Sequence, residues 1–268
     1  MYPQEDYFCG PSSMATLLSD QHVEFVYNDV IGSTFTPELK GTLQIEMKAT
    51  ARRYGLIPYE INPNLASVLS EVSMNRPVLV LFNLGLTSLP VWHYSVVTGF
   101  NKDSKEIFLT APKNSQTWMH FDEFEKFFER GGSWAIVALK PPLLPVASSE
   151  KAMIVAIADM AEVGHKDQAK QTAVNYVKQH PLSFLGSMML ANINYEMQDY
   201  LGATAEYKHA LTLQPNNPVV LNNLAQSLLK ENKLNEAQSY ALAAVSAGGV
   251  FLVEHKITLE AINKKLQE

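Results

Sequence analysis

The chain of 268 residues holds a single cysteine, Cys9, so no disulfide forms within it and the redox compartment is left open. No apolar run approaches the 18 or so residues that mark a membrane-spanning helix, so no integral membrane segment is expected. Basic residues are few and scattered. The 21 Lys and Arg against 27 Asp and Glu give a net charge of −6, which argues against nucleic acid or anionic lipid as a partner. No glycine-rich phosphate loop and no Cys/His set at zinc spacing occurs, so neither a cofactor nor a metal is expected. What the chain does have is 47% apolar residues, enough for two globular domains of ordinary size.

The cysteine lies in Gln4-Glu-Asp-Tyr-Phe-Cys9-Gly10-Pro11-Ser12, followed by the helix-like Ser13-Met-Ala-Thr-Leu-Leu18. A thiol at a helix N-terminus meets unpaired N–H groups and the positive end of the helix dipole, which lowers its pKa. The Gln4 amide beside the Cys9 backbone N–H would supply two donors for an oxyanion. The plainer alternative is that Cys9 is a small buried hydrophobe.

Downstream, Arg76-Pro-Val-Leu-Val-Leu-Phe82 has the composition and length of a strand. Val91-Trp-His93-Tyr-Ser-Val-Val-Thr-Gly-Phe100 alternates apolar with polar or small residues, and Glu106-Ile-Phe-Leu-Thr110 follows the turn-forming Asn101-Lys-Asp-Ser104. With a further strand over 134–139, these predict an antiparallel meander packed on the Cys9 helix. The order, a helical block and then consecutive strands, excludes the alternating pattern of a parallel sheet. Phe121-Asp-Glu-Phe-Glu-Lys-Phe-Phe128 has helical spacing and ends at Gly131-Gly132, read as a helix C-cap and turn. His93 is the one histidine of seven set in a strand hairpin among small and apolar neighbours. An imidazole there suits a general base and acid for a thiol; otherwise it is a hydrogen-bonded histidine at a strand end.

Gln-x4-Cys-Gly-Pro followed by His-Tyr-x-Val-Val-x-Gly-Phe resembles the papain-like cysteine peptidase domains related to the double-glycine, bacteriocin-processing peptidases, over residues 1–140. The resemblance implies an α+β papain-like fold, with Cys9 as nucleophile, His93 as general base and acid, and Gln4 in the oxyanion hole. One position departs from that family. Its third strand ends in Asp-Pro, whose carboxylate orients the histidine, and here the dipeptide is Ala111-Pro112. The third triad member is therefore missing or replaced, with Asn114 or a backbone carbonyl as alternatives.

The second half is periodic. Ala169, Ala203 and Ala237 recur every 34 residues, as do Pro181, Pro215 and Gly249. Each unit reads as two amphipathic helices with small residues at their crossing. The clearest copy runs from Met188-Met-Leu-Ala-Asn192 through Asp199-Tyr-Leu-Gly-Ala-Thr-Ala-Glu-Tyr-Lys-His-Ala-Leu-Thr-Leu-Gln-Pro215. The pattern resembles the tetratricopeptide repeat and implies an all-α solenoid of about three copies over 150–268. The helix from Thr258 to Leu266, charged on its outer face, reads as a terminal cap. Asn192, Tyr195, Asn222, Asn223 and Gln226 are candidates to line a groove for an extended peptide, since asparagines are poor helix formers and amides both donate and accept.

Between the halves, Lys140-Pro-Pro-Leu-Leu-Pro-Val-Ala-Ser-Ser149 predicts an extended, semi-rigid linker over 141–149. Only eight residues precede Cys9, and no signal peptide is evident. The resemblance nonetheless implies the periplasm or cell envelope of a Gram-negative bacterium, with the cytoplasm as alternative. Three functions are open. One is a thiol-dependent peptidase whose repeats recruit a protein or peptide substrate, or another protein partner. Another is an inactive peptidase-like protein that binds peptides and assembles partners. The last is a papain-like acyltransferase.

Overall fold

A computed structural model describes residues 8–110 and 116–268. Contacts divide the chain into two units, 1–156 and 157–268.

The first unit opens with three helices, α1 (Cys9–Asp20), α2 (Tyr27–Thr34) and α3 (Gln44–Arg53). β1 (Ile57–Glu60), α4 (Leu65–Ser73), β2 (Val78–Asn83), β3 (Trp92–Asn101), β4 (Glu106–Thr110), β5 (Gln116–His120), α5 (Phe121–Arg130) and β6 (Ala135–Leu139) follow. The strands form one antiparallel sheet in the order β1-β6-β2-β3-β4-β5. The four strands expected from the sequence are all present. β1 and β5, which were not expected, occupy the two edges. β1 is only four residues long and carries Pro58, which suits an edge and hides it from any reading of periodicity.

β2 is buried along its whole length because helices cover both of its faces. Leu79 and Leu81 join Tyr94, Val96, Ile136 and Ala138 under Met14, Leu17 and Leu18 of α1 and Met47 and Ala51 of α3. On the other face Phe82 packs edge-on against Phe124 of α5, centroids 5.3 Å apart. α5 ends at Gly131 and the left-handed Gly132, as the diglycine suggested.

The proline-rich segment, expected to be extended, begins with a turn at 141–142, closed by the Leu143 N–H on the Lys140 carbonyl at 2.9 Å, and bends again at 146–147, and side chains of the first unit hold it. Tyr59 donates to the Leu143 carbonyl at 3.2 Å and Arg76 to that of Leu144 at 2.8 Å. The fully buried Glu71 carboxylate accepts from the N–H groups of Val146 and Ala147 at 2.6 and 2.8 Å, and also pairs with Arg76. Prolines keep the segment from becoming helical, and these side chains then fasten it.

α6 (Glu150–Glu162) contains the division between the units. Beyond it stand α7 (Lys166–Gln179), α8 (Phe184–Glu196), α9 (Tyr200–Leu213), α10 (Pro218–Lys230), α11 (Leu234–Ala247) and α12 (Leu252–Gln267). The helix starts keep the 34-residue period: 150, 184, 218 and 252 for one series, 166, 200 and 234 for the other. Ala169, Ala203 and Ala237 are all fully buried at the crossings. The turns repeat as well, with Gly164, Gln198 and Asn232 each left-handed. Glycine takes that conformation without strain, whereas glutamine and asparagine are held in it by the array. α12 starts earlier than Thr258, in phase with α8 and α10. Its outer face is not only charged, since Val253 and Ile257 are exposed there. No helix among the described residues is long and apolar enough to cross a membrane.

Candidate active site

α1 begins at Cys9 itself. Phe8, at the N-cap, has no side-chain acceptor, and Pro11 sits in the first turn, where a missing N–H breaks no helical bond. The N–H groups of Cys9 and Gly10 therefore remain available, and both donate to the Cys9 thiol. A third donor is the backbone N–H of Tyr94 on β3. Strand register explains why that N–H is free. Leu81, opposite Tyr94, turns its own N–H away from β3 to the Trp134 carbonyl. Tyr94 and Leu81 are thus a non-hydrogen-bonded pair, and the Tyr94 N–H faces outward. On that side the β3–β4 ladder is described as far as Val96 and Thr110.

Gly10 is required by a close approach, because any Cβ there would overlap the Thr42 side chain. The Thr42 carbonyl in turn accepts from the Tyr94 hydroxyl at 3.2 Å, and the Tyr94 ring stands edge-on to Trp134. Three distant segments are locked together around the thiol.

Burial pushes the Cys9 thiol above its ordinary pKa, and the three N–H donors, which pull downward, do not outweigh it. This reverses the lowered pKa expected for a helix N-terminus, because the same packing that delivers the donors also removes water. Burial likewise holds the His93 imidazole below its usual value. Thiol and imidazole are therefore both neutral near pH 7.

His93 lies at the start of β3, as expected, half-buried and opposite Phe82. Strand side chains alternate, so Tyr94 turns its ring to the α1 face while His93 shares the face of Phe82. The thiol thus meets the residue next to His93, and no direct Cys9–His93 hydrogen bond occurs among the described contacts. Gln4, Ala111, Pro112 and Asn114 lie outside the described residues.

A feature missed by the sequence reading flanks His93. Leu86, Leu89 and Val91 in the β2–β3 loop and Trp92 at the start of β3 are all exposed, Leu89 by 73%. The loop is held rigidly. The buried Asn83 Oδ1 accepts from the N–H groups of Gly85 and Val91, each at 3.0 Å, and Arg130 donates to the Gly85 carbonyl at 2.6 Å. Asn83, a polar residue ending an otherwise apolar strand, was the available signal. Leu39, Leu43 and Ile45, around Thr42, are likewise exposed.

In the repeats, the candidate groove residues tie helices together. Asn192 accepts from the Tyr207 hydroxyl at 2.8 Å, Asn223 also bonds Tyr207, and Gln226 donates to Thr258 at 3.1 Å. Tyr195 stacks edge-on against Tyr200. Asn222 is buried, with its Oδ1 unpartnered among the described residues.

An uncapped helix presenting a thiol to an antiparallel sheet, followed by an array of 34-residue helix pairs, defines a papain-like domain joined to tetratricopeptide repeats. The chain belongs to the Peptidase_C39 like family, whose model matches residues 1–137, and a tetratricopeptide repeat model matches residues 206–239. Comparison with curated proteins gives no match. Among solved structures, the type III secretion translocator chaperone SycD of Yersinia enterocolitica is similar at 18% identity, over 43% of this chain and 83% of that one, with TM-score 0.40. The same chaperone in complex with a peptide of the translocator YopD gives 19%, 46%, 98% and 0.41. The first TPR domain of human RPAP3 gives 14%, 43%, 93% and 0.38. All three likenesses are distant.

Proposed function

We propose that the chain is a thiol-dependent peptidase, with Cys9 as nucleophile, His93 as general base and acid, and Gln4 as oxyanion donor, and that its repeats recruit the protein substrate or a partner. The observation that carries this reading is that three backbone N–H groups lower the pKa of the Cys9 thiol, one of them from Tyr94, the strand neighbour of His93. In the reaction the His93 ring, which rests on the sheet face of Phe82, has to turn to the sulfur and take the thiol proton as the sulfur attacks the peptide carbonyl. The Cys9 N–H and the Gln4 amide hold the oxyanion, the leaving amine regains the proton from His93, and water resolves the thioester. A neutral imidazole is the form that accepts a proton, so its lowered pKa is compatible with the role. The exposed leucines and Trp92 beside His93 suit a substrate with apolar side chains.

A second reading, a peptide-binding protein without turnover, is favoured by the protonated thiol and by Ala111 in place of a carboxylate. Incubation of the full chain with a quenched fluorescent peptide library separates the two. Turnover that vanishes in both Cys9→Ala and His93→Ala supports the peptidase. Binding without cleavage, equal in the native chain and Cys9→Ala, supports the second reading. Truncation at Pro145 tests recruitment: thiol reactivity is retained and affinity for the protein partner is lost if the repeats dock it.

A further inference from the structure

Ser13 stands four residues after Cys9 on α1, is 2% exposed, and its Oγ is buried without a hydrogen-bond partner among the described residues. The hydroxyls around it are engaged. Ser12 Oγ bonds the Tyr27 hydroxyl at 2.8 Å, and Thr16 Oγ1 donates to the Ser12 carbonyl at 3.0 Å. A helical serine usually bonds back to the carbonyl one turn earlier, and Ser13 makes no such bond. Residues four apart share a helix face, with Cβ atoms about 5–6 Å apart. The Cα–Cβ bonds of a helix also tilt toward its N-terminus, so Ser13 Cβ stands on the face below the turn that carries the thiol, one rotamer change of the hydroxyl away from it.

We propose that Ser13 is a positioning residue for the nucleophile, its hydroxyl being the reserve hydrogen-bond donor that turns onto the Cys9 sulfur when the thiol loses its proton. The proposal rests on the reading of Cys9 as nucleophile. A buried thiolate needs more donors than a buried thiol, and the three backbone N–H groups alone do not offset desolvation. A hydroxyl left idle in the neutral state completes the set at the moment of ionisation. The proton leaves to His93 in the reaction, or to solvent base when a small electrophile is the reactant. Few other groups compete for the sulfur. β2 has no titratable residue, and β3 contributes His93 and Tyr94. α2 contributes Tyr27, which is bonded to Ser12, and Asp29. α3 turns Met47 and Ala51 toward α1, while its charged residues are Glu46, Lys48, Arg52 and Arg53.

The test is the pH dependence of Cys9 alkylation by iodoacetamide in the full chain, with thermal unfolding recorded in parallel. Ser13→Ala is expected to raise the midpoint of the alkylation profile by about one pH unit, a tenfold loss of thiolate at fixed pH. Its unfolding temperature should be unchanged or higher, because the hydroxyl has no partner to lose. Thr16→Val, which removes an engaged hydroxyl from the same helix, should leave the midpoint in place. An unchanged midpoint in Ser13→Ala, or an equal shift in Thr16→Val, overturns the proposal. Failure of the peptidase reading shows separately, as an absence of peptide cleavage by the native chain while the Ser13→Ala shift persists.

Discussion

The thiol site and the repeat array solve opposite packing problems. In the first unit the contacts that fix the architecture join segments far apart in sequence: α1 to β3 and the Thr42 loop to Gly10 and Tyr94 at the thiol, and elsewhere the 143–147 segment to Glu71. In the array, the buried alanines, left-handed turns and helix starts recur at one period, and each helix packs on its neighbours in the chain. The first unit can therefore place a polar group almost anywhere, at the risk of burying it, as has happened to the thiol. The second is tolerant of drift at any single position, because each position is backed by its equivalents one repeat away.

The largest expected effect tests whether the thiol is only chemical. Cys9→Ser should reduce peptide turnover at least about a thousandfold and leave unfolding unaltered. All three tryptophans, Trp92, Trp118 and Trp134, lie in the first unit, so tryptophan fluorescence reports that unit alone. A changed fluorescence transition in Cys9→Ser would mean that Cys9 is mainly a packing residue.

Next comes Glu71→Ala. It removes a fully buried acceptor from Arg76 and from two backbone N–H groups, at a cost of about 3 kcal/mol. The fluorescence midpoint in urea should fall markedly. A near-neutral result would show that the proline-rich segment is held by its own conformation.

A smaller loss is expected within the array. Ala203→Leu overfills a fully buried crossing and should destabilise by about 2 kcal/mol. The loss should appear in helical circular dichroism, with Cys9 alkylation unchanged. An altered alkylation profile would break the contrast between the units.

Dependence on pH follows from burial. Turnover requires neutral His93, whose pKa is lowered, so the acid limb of the rate profile should lie below about 6.5, the ordinary histidine value. Rate should therefore persist as pH falls through that value and be lost only beneath it. Alkylation requires ionised Cys9, whose pKa is raised, so that profile should rise only above the ordinary cysteine range, about 8.5. A limb at or above the histidine value would mean that an undescribed acid restores His93. The smallest expected effect is Gln198→Gly, which relieves a left-handed glutamine where the first repeat already has Gly164. It should stabilise the array by about 0.5 kcal/mol, read as a slightly higher thermal midpoint.

Much of this organisation was legible in the sequence, for reasons that differ between the units. The 34-residue period is local information, since helix pairing and alanine crossings need only neighbouring residues, and the whole array could be read from Ala169, Ala203 and Ala237. The strands of the meander were readable where they are long and apolar, from Val78 to Thr110. The edge strands at Ile57 and Gln116 were not, because short segments carry no usable period. Cys9 and His93 stood out by their neighbours, and Gly10 by its place after the cysteine. The binding of the 141–149 segment, the rigid apolar loop held by Asn83, and the idle hydroxyl of Ser13 left no periodic trace.

The sequence by itself determined which segments become helices and strands, because burial of apolar faces at periods of two and 3.6 is a property of adjacent residues. Only the tertiary structure decided the electrostatic state of the site. Whether Cys9 holds a thiol or a thiolate depends on how much water the packed sheet excludes from three converging N–H groups, one of which belongs to Tyr94 on a strand far along the chain. Desolvation is summed over everything that surrounds the sulfur, and no local pattern encodes that sum.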